Sequence, residues 1–446
     1  MQDPQEIEDG EHEQTVARVA AVDVAKATGK VCTRVPHETR PGKRLTKVWD
    51  VSATTNAIVE LADHLVCQGV ERVVVESTSD YWRPFFYLLE ARGLDVWLVN
   101  AHDAKQVPGR PKTDKLDAVW LAKLAERGML RPSFVPPAAI RQLRDCTRLS
   151  VDLTHDRSRV RQRTEKLLED ALIKLSTVAT DVFGVSGRAM LEALVGGERD
   201  PRRLAALARG RMRVKQAALV EALTGQFDDH HAYLLRMLLD QHDALTTQID
   251  ALAVKVEAAL AAVPAAGPPP AAGCDTDTGE VTAALSAVAR LDEVPGIAAR
   301  GAHIILAEIG LDMTRFPTAG HLVSWARLSP RTVQSGATNR KGKTGKGNPY
   351  LKGVLGEIAA AAARTDTFLG ERYRRLVKRR GKLKALVAVA RSILVIVWKL
   401  LADPHARYHD LGADYYTTRV NKDRKTRGLV HQLEALGHTV VLQPAA

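Results

Sequence analysis

Cysteine is scarce in this chain of 446 residues: Cys32, Cys67, Cys146 and Cys274 lie far apart, and no two form a C-x-x-C pair. That spacing argues against a zinc site and against a disulfide framework, and it suits a reducing cytoplasm. Aromatic residues are only 5% of the chain. No stretch gathers them into a base-stacking platform, so any reading of nucleotide sequence by side chains is expected to be limited. Long apolar runs are missing as well. The most apolar segment, ALVAVARSILVIVWKLL (385–401), is short for a bilayer span and carries Arg391 and Lys399. It is expected as a buried core helix, with no membrane partner. The first residues, MQDPQEIEDGEHEQ, are acidic and lack the apolar core of a secretory signal.

What is abundant is positive charge. Lys and Arg number 64 against 52 Asp and Glu, a net charge of +12 and a pI near 9.5. An excess of that size points to a polyanionic partner, nucleic acid first. Hydrophobic residues at 45% and charged residues at 26% are ordinary for a globular protein. The length allows two or three domains.

The first third alternates strand and helix patterns. VARVAAVDVA (16–25), KVCTRV (30–35), LTKVWDV (45–51), RVVVEST (72–78) and DVWLV (95–99) read as strands. TNAIVELADHLVCQG (55–69), YWRPFFYLLEARG (81–93) and the segment GRPKTDKLDAVWLAKLA (109–125) read as helices. The order β-β-β-α-β-α-β-α predicts an α/β domain of ribonuclease-H-like type, a mixed sheet with helices on both faces. From about residue 138 to 260 the pattern is helical, including two long candidates at 141–175 and 230–260. Their spacings of three, four and seven fit a helical hairpin or an intermolecular coiled coil. VPAAGPPPAAGCDTDTG (263–279) reads as a flexible linker. VPGIAARGAHIILAEIG (294–310) resembles a helix-hairpin-helix, whose Pro-Gly turn offers backbone N–H groups to phosphate. The boundaries expected are an acidic disordered tail (1–15), the α/β domain (16–137), a helical coiled-coil region (138–262), a linker (263–282), a mainly α C-terminal domain (283–403) and a basic tail (404–446).

Two sets of residues carry chemistry. Asp23 sits inside an apolar strand pattern and Glu76 ends another, and a charge in a sheet interior is expensive unless it is paired or bound to metal. Asp114 and Asp117, three apart, would project from one side of a helix. Carboxylates also favour any helix's first turn, so each residue alone has an ordinary explanation. In a ribonuclease-H-like domain the four would converge, and such a cluster needs a cation. Magnesium, with manganese as the substitute, suits phosphate chemistry. The second set is Gln334-Ser335-Gly336 followed by the loop NRKGKTGKGN (339–348). Glycines allow close approach to a polyanion, and Arg340, Lys341, Lys343 and Lys346 supply phosphate contacts. Ser335 would be either a turn serine bonded to its own backbone or a nucleophile attacking phosphorus. ERYRRLVKRRGKLK (371–384) adds a basic helix with Arg372, Arg375, Lys378, Arg379 and Arg380.

Five features in order, Val22-Asp23, VVVE ending at Glu76, KTDKLDA (112–118), VPGI from Val294, and Ser335-Gly336 through KGN (346–348) to Leu351-Lys352, carry a resemblance. Together they resemble the DEDD transposases of the IS110 insertion-sequence family, related to the Piv and MooV invertases. The resemblance implies a resolvase-like (RuvC-like) N-terminal domain binding metal through Asp23, Glu76, Asp114 and Asp117. It implies a C-terminal transposase domain with Ser335 as nucleophile, forming a phosphoserine link to DNA. It also implies recombination of donor and target DNA guided by a structured bridge RNA, in a homo-oligomer (dimer or tetramer) acting in the nucleoid. Lys352 stands where an arginine is usual, so that phosphate contact would lose bidentate geometry. The alternatives are a metal-dependent junction-resolving endonuclease that hydrolyses DNA with water, and a non-catalytic nucleic-acid scaffold.

Overall fold

The computed structural model describes residues 16–100, 114–267, 285–330, 332–335, 338–342, 344–418 and 422–443. The acidic tail and most of the expected linker lie outside the described residues. The chain divides into two compact units, Met1–Val135 and Pro136–Ala446.

In the first unit, β1 (Val19–Val24), β2 (Thr28–Pro36), β3 (Arg44–Ser52), β4 (Arg72–Glu76) and β5 (Val96–Val99) form one sheet in the order β3-β2-β1-β4-β5. The first three strands are an antiparallel meander, whereas β4 runs parallel to β1 and β5 parallel to β4. The elements follow the order expected from the sequence. Strand β1 is rich in valine and alanine and β4 in valine because both faces are covered. Side chains alternate between faces along a strand. Ala20, Val22 and Val24, with Val73 and Val75, pack against α1 (Thr55–Cys67) and α2 (Trp82–Ala91) through Ile58, Leu65, Phe85 and Leu89. Val19, Ala21 and Val74 face the other way, onto α3 (Asp114–Glu126) through Ala118, Leu121, Ala122 and Ala125.

The second unit opens on α4 (Ala138–Asp170) and, after the short helices α5 (Leu175–Val178), α6 (Val185–Val195), α7 (Pro201–Ala206) and α8 (Gln216–Ala222), returns along α9 (Asp229–Ala261). Asp170 lies beside His231 and Arg157 donates to Thr246, so α4 and α9 run antiparallel as a hairpin within one chain. At 33 residues each, they are about 50 Å long. The short helices bury Met190, Leu191, Leu204 and Leu219 against Leu168, Leu235 and Leu239 at the hairpin's tip.

The remainder is built from α10 (Ala287–Asp292), α11 (Ala299–Ile309), α12 (Ala319–Trp325), a two-stranded sheet of β6 (Thr332–Ser335) and β7 (Thr338–Lys341), α13 (Pro349–Ala362), α14 (Phe368–Arg380), α15 (Lys382–Ala402), α16 (Tyr415–Thr418) and α17 (Lys422–Ala435). Helix α15 contains the most apolar run. By length and composition it could cross a membrane. Instead it packs against α10, α12, α13 and α14, burying Val389, Ile393, Leu394 and Val397 while Arg391 and Lys399 stay exposed. The Pro-Gly turn between α10 and α11 packs closely on α13. Gly296 has φ +91°, and a Cβ there would lie 2.6 Å from the Ile358 carbonyl on α13. The N–H of Ile297 is used inside the turn, donating to the Val294 carbonyl at 2.9 Å.

One expectation needs correction. Residues 339–348 read as a loop, yet 339–341 belong to β7, which pairs with β6 as a hairpin in which Ser335 lies opposite Thr338. Its signal, β-branched residues on either side of a two-residue gap, is short and was masked by the glycine- and lysine-rich run that follows.

Candidate active-site carboxylates and serine hairpin

Asp23 and Glu76 are placed by the sheet. The parallel register pairs Val22 with Val75, so Asp23 and Glu76, one step further on, lie side by side. Alternation from Ala21 and Val74 turns both toward the α3 face. Glu76 is 4% exposed and Asp23 is half-buried.

Helix α3 is oriented by its last residue. Glu126 accepts Arg34 Nε at 2.7 Å and Arg44 Nε at 2.6 Å. The backbone of Arg34 is paired with that of Val19 at the start of β1. The Val16 N–H donates to the Glu126 carbonyl at 3.0 Å. The end of α3 therefore sits at the beginning of β1, and the helix runs antiparallel to that strand. From Val19 to Asp23 the strand advances about 13 Å, and from Glu126 back to Asp117 the helix advances about the same. Asp117 thus stands level with Asp23 and Glu76, and Asp114 begins the same helix. The side chain of Asp114 lies outside the described residues. Asp23, Glu76 and Asp117 each have a polar partner in the fold, so none is a free carboxylate. Among the described residues no three His, Cys, Asp or Glu side chains form a metal-binding group. The donor chemistry nonetheless fits a hard divalent cation: oxygen ligands only, on rigid strands, near the positive end of a helix.

Cys32 shares this face of the sheet. Burial pushes its thiol up to about 11, opposed by the nearby charges of Arg34 and Lys123.

In the second unit, Ser335 is the last residue of β6. Gly336 and Lys343, and the side chains of Ser335, Arg340 and Lys341, lie outside the described residues. The chain that follows is anchored at several points. Gly347 has φ +62°, and a Cβ there would lie 2.7 Å from the Ala326 carbonyl, so its close approach is to the protein's own backbone. Lys352 Nζ donates to the Gly345 carbonyl at 2.8 Å, whereas Lys346 is exposed. Asn348 caps α13: its side-chain oxygen accepts the N–H groups of Tyr350 and Leu351 at 3.0 and 3.3 Å. Its amide nitrogen donates to Glu308 Oε2 at 2.5 Å.

Glu308 was not singled out by the sequence. It is fully buried on α11 and accepts Arg148 at both oxygens, at 2.7 and 2.9 Å. Arg144 lies 3.4 Å away and also donates to the carbonyls of Ala307 and Glu308. Burial opposes the charge on Arg148, but its bonds to Glu308 outweigh that and hold its pKa above the ordinary guanidinium value. Nothing local could have revealed this group, since its members come from α4, α11 and the start of α13.

The basic helix α14 divides by role. Arg372 donates to the Tyr416 hydroxyl at 2.8 Å and Arg375 lies 4.4 Å from the centre of that ring, so both brace the segment following α15. Lys378, Arg379 and Arg380 are exposed in the last turn, where they also offset the helix's negative end.

The first unit thus carries a strand-borne acidic pair on the α3 face, and the second, mainly helical unit carries the β6–β7 hairpin whose first strand ends in Ser335. A family model described as a transposase, of the IS110 DEDD group, matches residues 20–173, and one described as "Transposase IS116/IS110/IS902 family" matches residues 288–374. A protein of Streptomyces coelicolor described as "Insertion element IS110 uncharacterized 43.6 kDa protein" is 34% identical over 116 residues, covering 25% of this chain and 28% of that one. The match thus spans little more than a quarter of that relative. The chain belongs to the IS110 family of transposases.

Proposed function

We propose that the protein is a DNA transposase that cuts and rejoins strands at specific sites through a phosphoserine intermediate, with a divalent cation held by Asp23, Glu76, Asp114 and Asp117. The family supports DNA as the partner. The observation that carries the metal assignment is the alignment of Asp23 with Glu76 on the α3 face. The strand order β3-β2-β1-β4-β5, with β2 antiparallel to β1, supports the ribonuclease-H-like reading of that unit. The cation, Mg²⁺ or Mn²⁺, would supply electrostatic stabilisation of the phosphate's developing charge.

The chain's own residues do the rest. The Ser335 hydroxyl attacks phosphorus and an Oγ–P bond forms as the P–O bond to one deoxyribose breaks. The hydroxyl proton ends on the departing sugar oxygen, and attack by a strand hydroxyl on the phosphoserine reverses the exchange. Lys346 and the last turn of α14, with Arg340, Lys341 and Lys343, contact backbone phosphates without reading sequence. Sequence choice falls to base pairing with a structured guide RNA, in keeping with the few aromatic residues. The working form is a homo-oligomer.

The test uses the full chain, a supercoiled plasmid carrying the gene with its own genomic flanks, and RNA transcribed from those flanks. On a denaturing gel the parent gives a covalent protein–DNA adduct that depends on Mg²⁺ or Mn²⁺. Ser335→Ala gives none, with DNA binding unchanged. Free 5′-phosphate ends without adduct, in parent and variant alike, would mean hydrolysis by water and defeat the serine assignment.

A further inference from the structure

A carboxylate with no solvent exposure is a costly choice for a helix that packs through Ile304, Ile305 and Ile309. A leucine at position 308 would incur no such penalty, and a buried ion pair is a weak source of stability. What the charge does supply is direction. Glu308 takes a two-pronged bond from Arg148 and a further pairing from Arg144, both on α4, so its oxygens are held in one orientation. One of those oxygens receives Asn348 at the point where the chain leaving the serine hairpin enters α13. The amide of Asn348 is used at both ends, one capping α13 and the other gripping Glu308. Tyr350 extends the brace, its hydroxyl donating to Asp152 at 3.0 Å while Arg148 lies 4.8 Å from the centre of its ring. Together with the Lys352–Gly345 bond and the seating of Gly347 under Ala326, this pins residues 345–348 against α4, α11 and α12.

We infer that Glu308 is a positioning residue for the serine hairpin, acting through Asn348. The inference rests on the reading of Ser335 as the nucleophile. An attacking oxygen must be held within a fraction of an ångström of its productive place, and a displacement of about 1 Å costs on the order of 100-fold in rate. A two-stranded hairpin is not rigid by itself, so its returning strand needs an outside anchor. A buried, multiply bonded carboxylate provides one that an apolar contact, which has no preferred direction, does not.

The experiment separates anchoring from folding. Asn348→Ser keeps a good helix cap but removes the amide that reaches Glu308. Glu308→Gln keeps the size of the side chain but not the charge. Ser335→Ala is run alongside, with the full chain, the flank-bearing plasmid and its RNA. At saturating DNA, both anchor variants are expected to slow single-turnover adduct formation about 10- to 100-fold, with the half-saturating DNA concentration within about twofold of the parent. An Asn348→Ser protein that melts like the parent and forms adduct at the parental rate overturns the inference. So does a loss of rate matched by an equal loss of DNA binding, since that marks general support of the fold. If Glu308→Gln fails to fold, Asn348→Ser alone decides. Adducts persisting in Ser335→Ala defeat the underlying serine reading instead, and the inference with it.

Discussion

Gly296 separates packing from phosphate contact in the Pro-Gly turn. Its φ of +91° is one that residues with a side chain avoid, and a Cβ would come within 2.6 Å of the Ile358 carbonyl and 3.0 Å of the Ala362 nitrogen. Both obstacles are backbone of a buried helix, so neither can swing aside. Gly296→Ala therefore incurs about 1–2 kcal/mol for the backbone conformation and about 1–3 kcal/mol for overpacking. For a unit this size, roughly 2 °C is lost per kcal/mol. Circular dichroism melting is expected to show the midpoint falling by about 4–10 °C. At temperatures where the variant stays folded, its retention of a DNA fragment should match the parent's within about twofold. A midpoint within about 2 °C of the parent's would refute the packing argument. Weakened DNA retention with unchanged melting would show instead that the turn touches phosphate.

Other outcomes follow from burial and charge. Two guanidinium groups outweigh the effect of burial on Glu126 and hold its carboxyl below the usual range, so its contribution is complete above the unfolded value near 4.5 and is lost as pH falls through the lowered folded value. Glu126→Gln is expected to destabilise the first unit by about 2–3 kcal/mol at pH 7, in urea melts, and to remove that share of the acid sensitivity; equal stabilities at pH 7 would contradict the pairing. With its thiol pushed up to about 11 and fully covered, Cys32 should resist a thiol reagent at pH 8 until the protein unfolds, whereas exposed Cys67 should react at once; mass mapping of a brief pulse that finds Cys32 modified first would count against the placement of α3.

Much of the fold is legible because its signals are local. The valine-rich strands β1 and β4 announce burial on both faces, and the periodicity over 141–175 and 230–260 announces the two long helices that the structure places at 138–170 and 229–261. The acidic residues are visible for the same reason: Asp23 and Glu76 interrupt patterns that are otherwise apolar. The β6–β7 hairpin was hidden because four-residue strands are too short to outweigh the composition around them.

The sequence by itself determined which residues are unusual: carboxylates in strands, a serine before glycine, and an excess of basic charge seeking a polyanion. Only the tertiary structure decided which of them share a face, at what height α3 delivers Asp117, and which basic residues remain for a ligand. Lys352 and Arg372 read like Lys346 in the sequence, yet they bond to Gly345 and Tyr416 while Lys346 faces solvent. Glu308 reads like any helical glutamate, since the residues that fix it lie 160 positions before it and 40 after. Periodicity is a property of neighbours along the chain. The energy of a charge depends on what surrounds it in space, and that is settled only when distant segments pack.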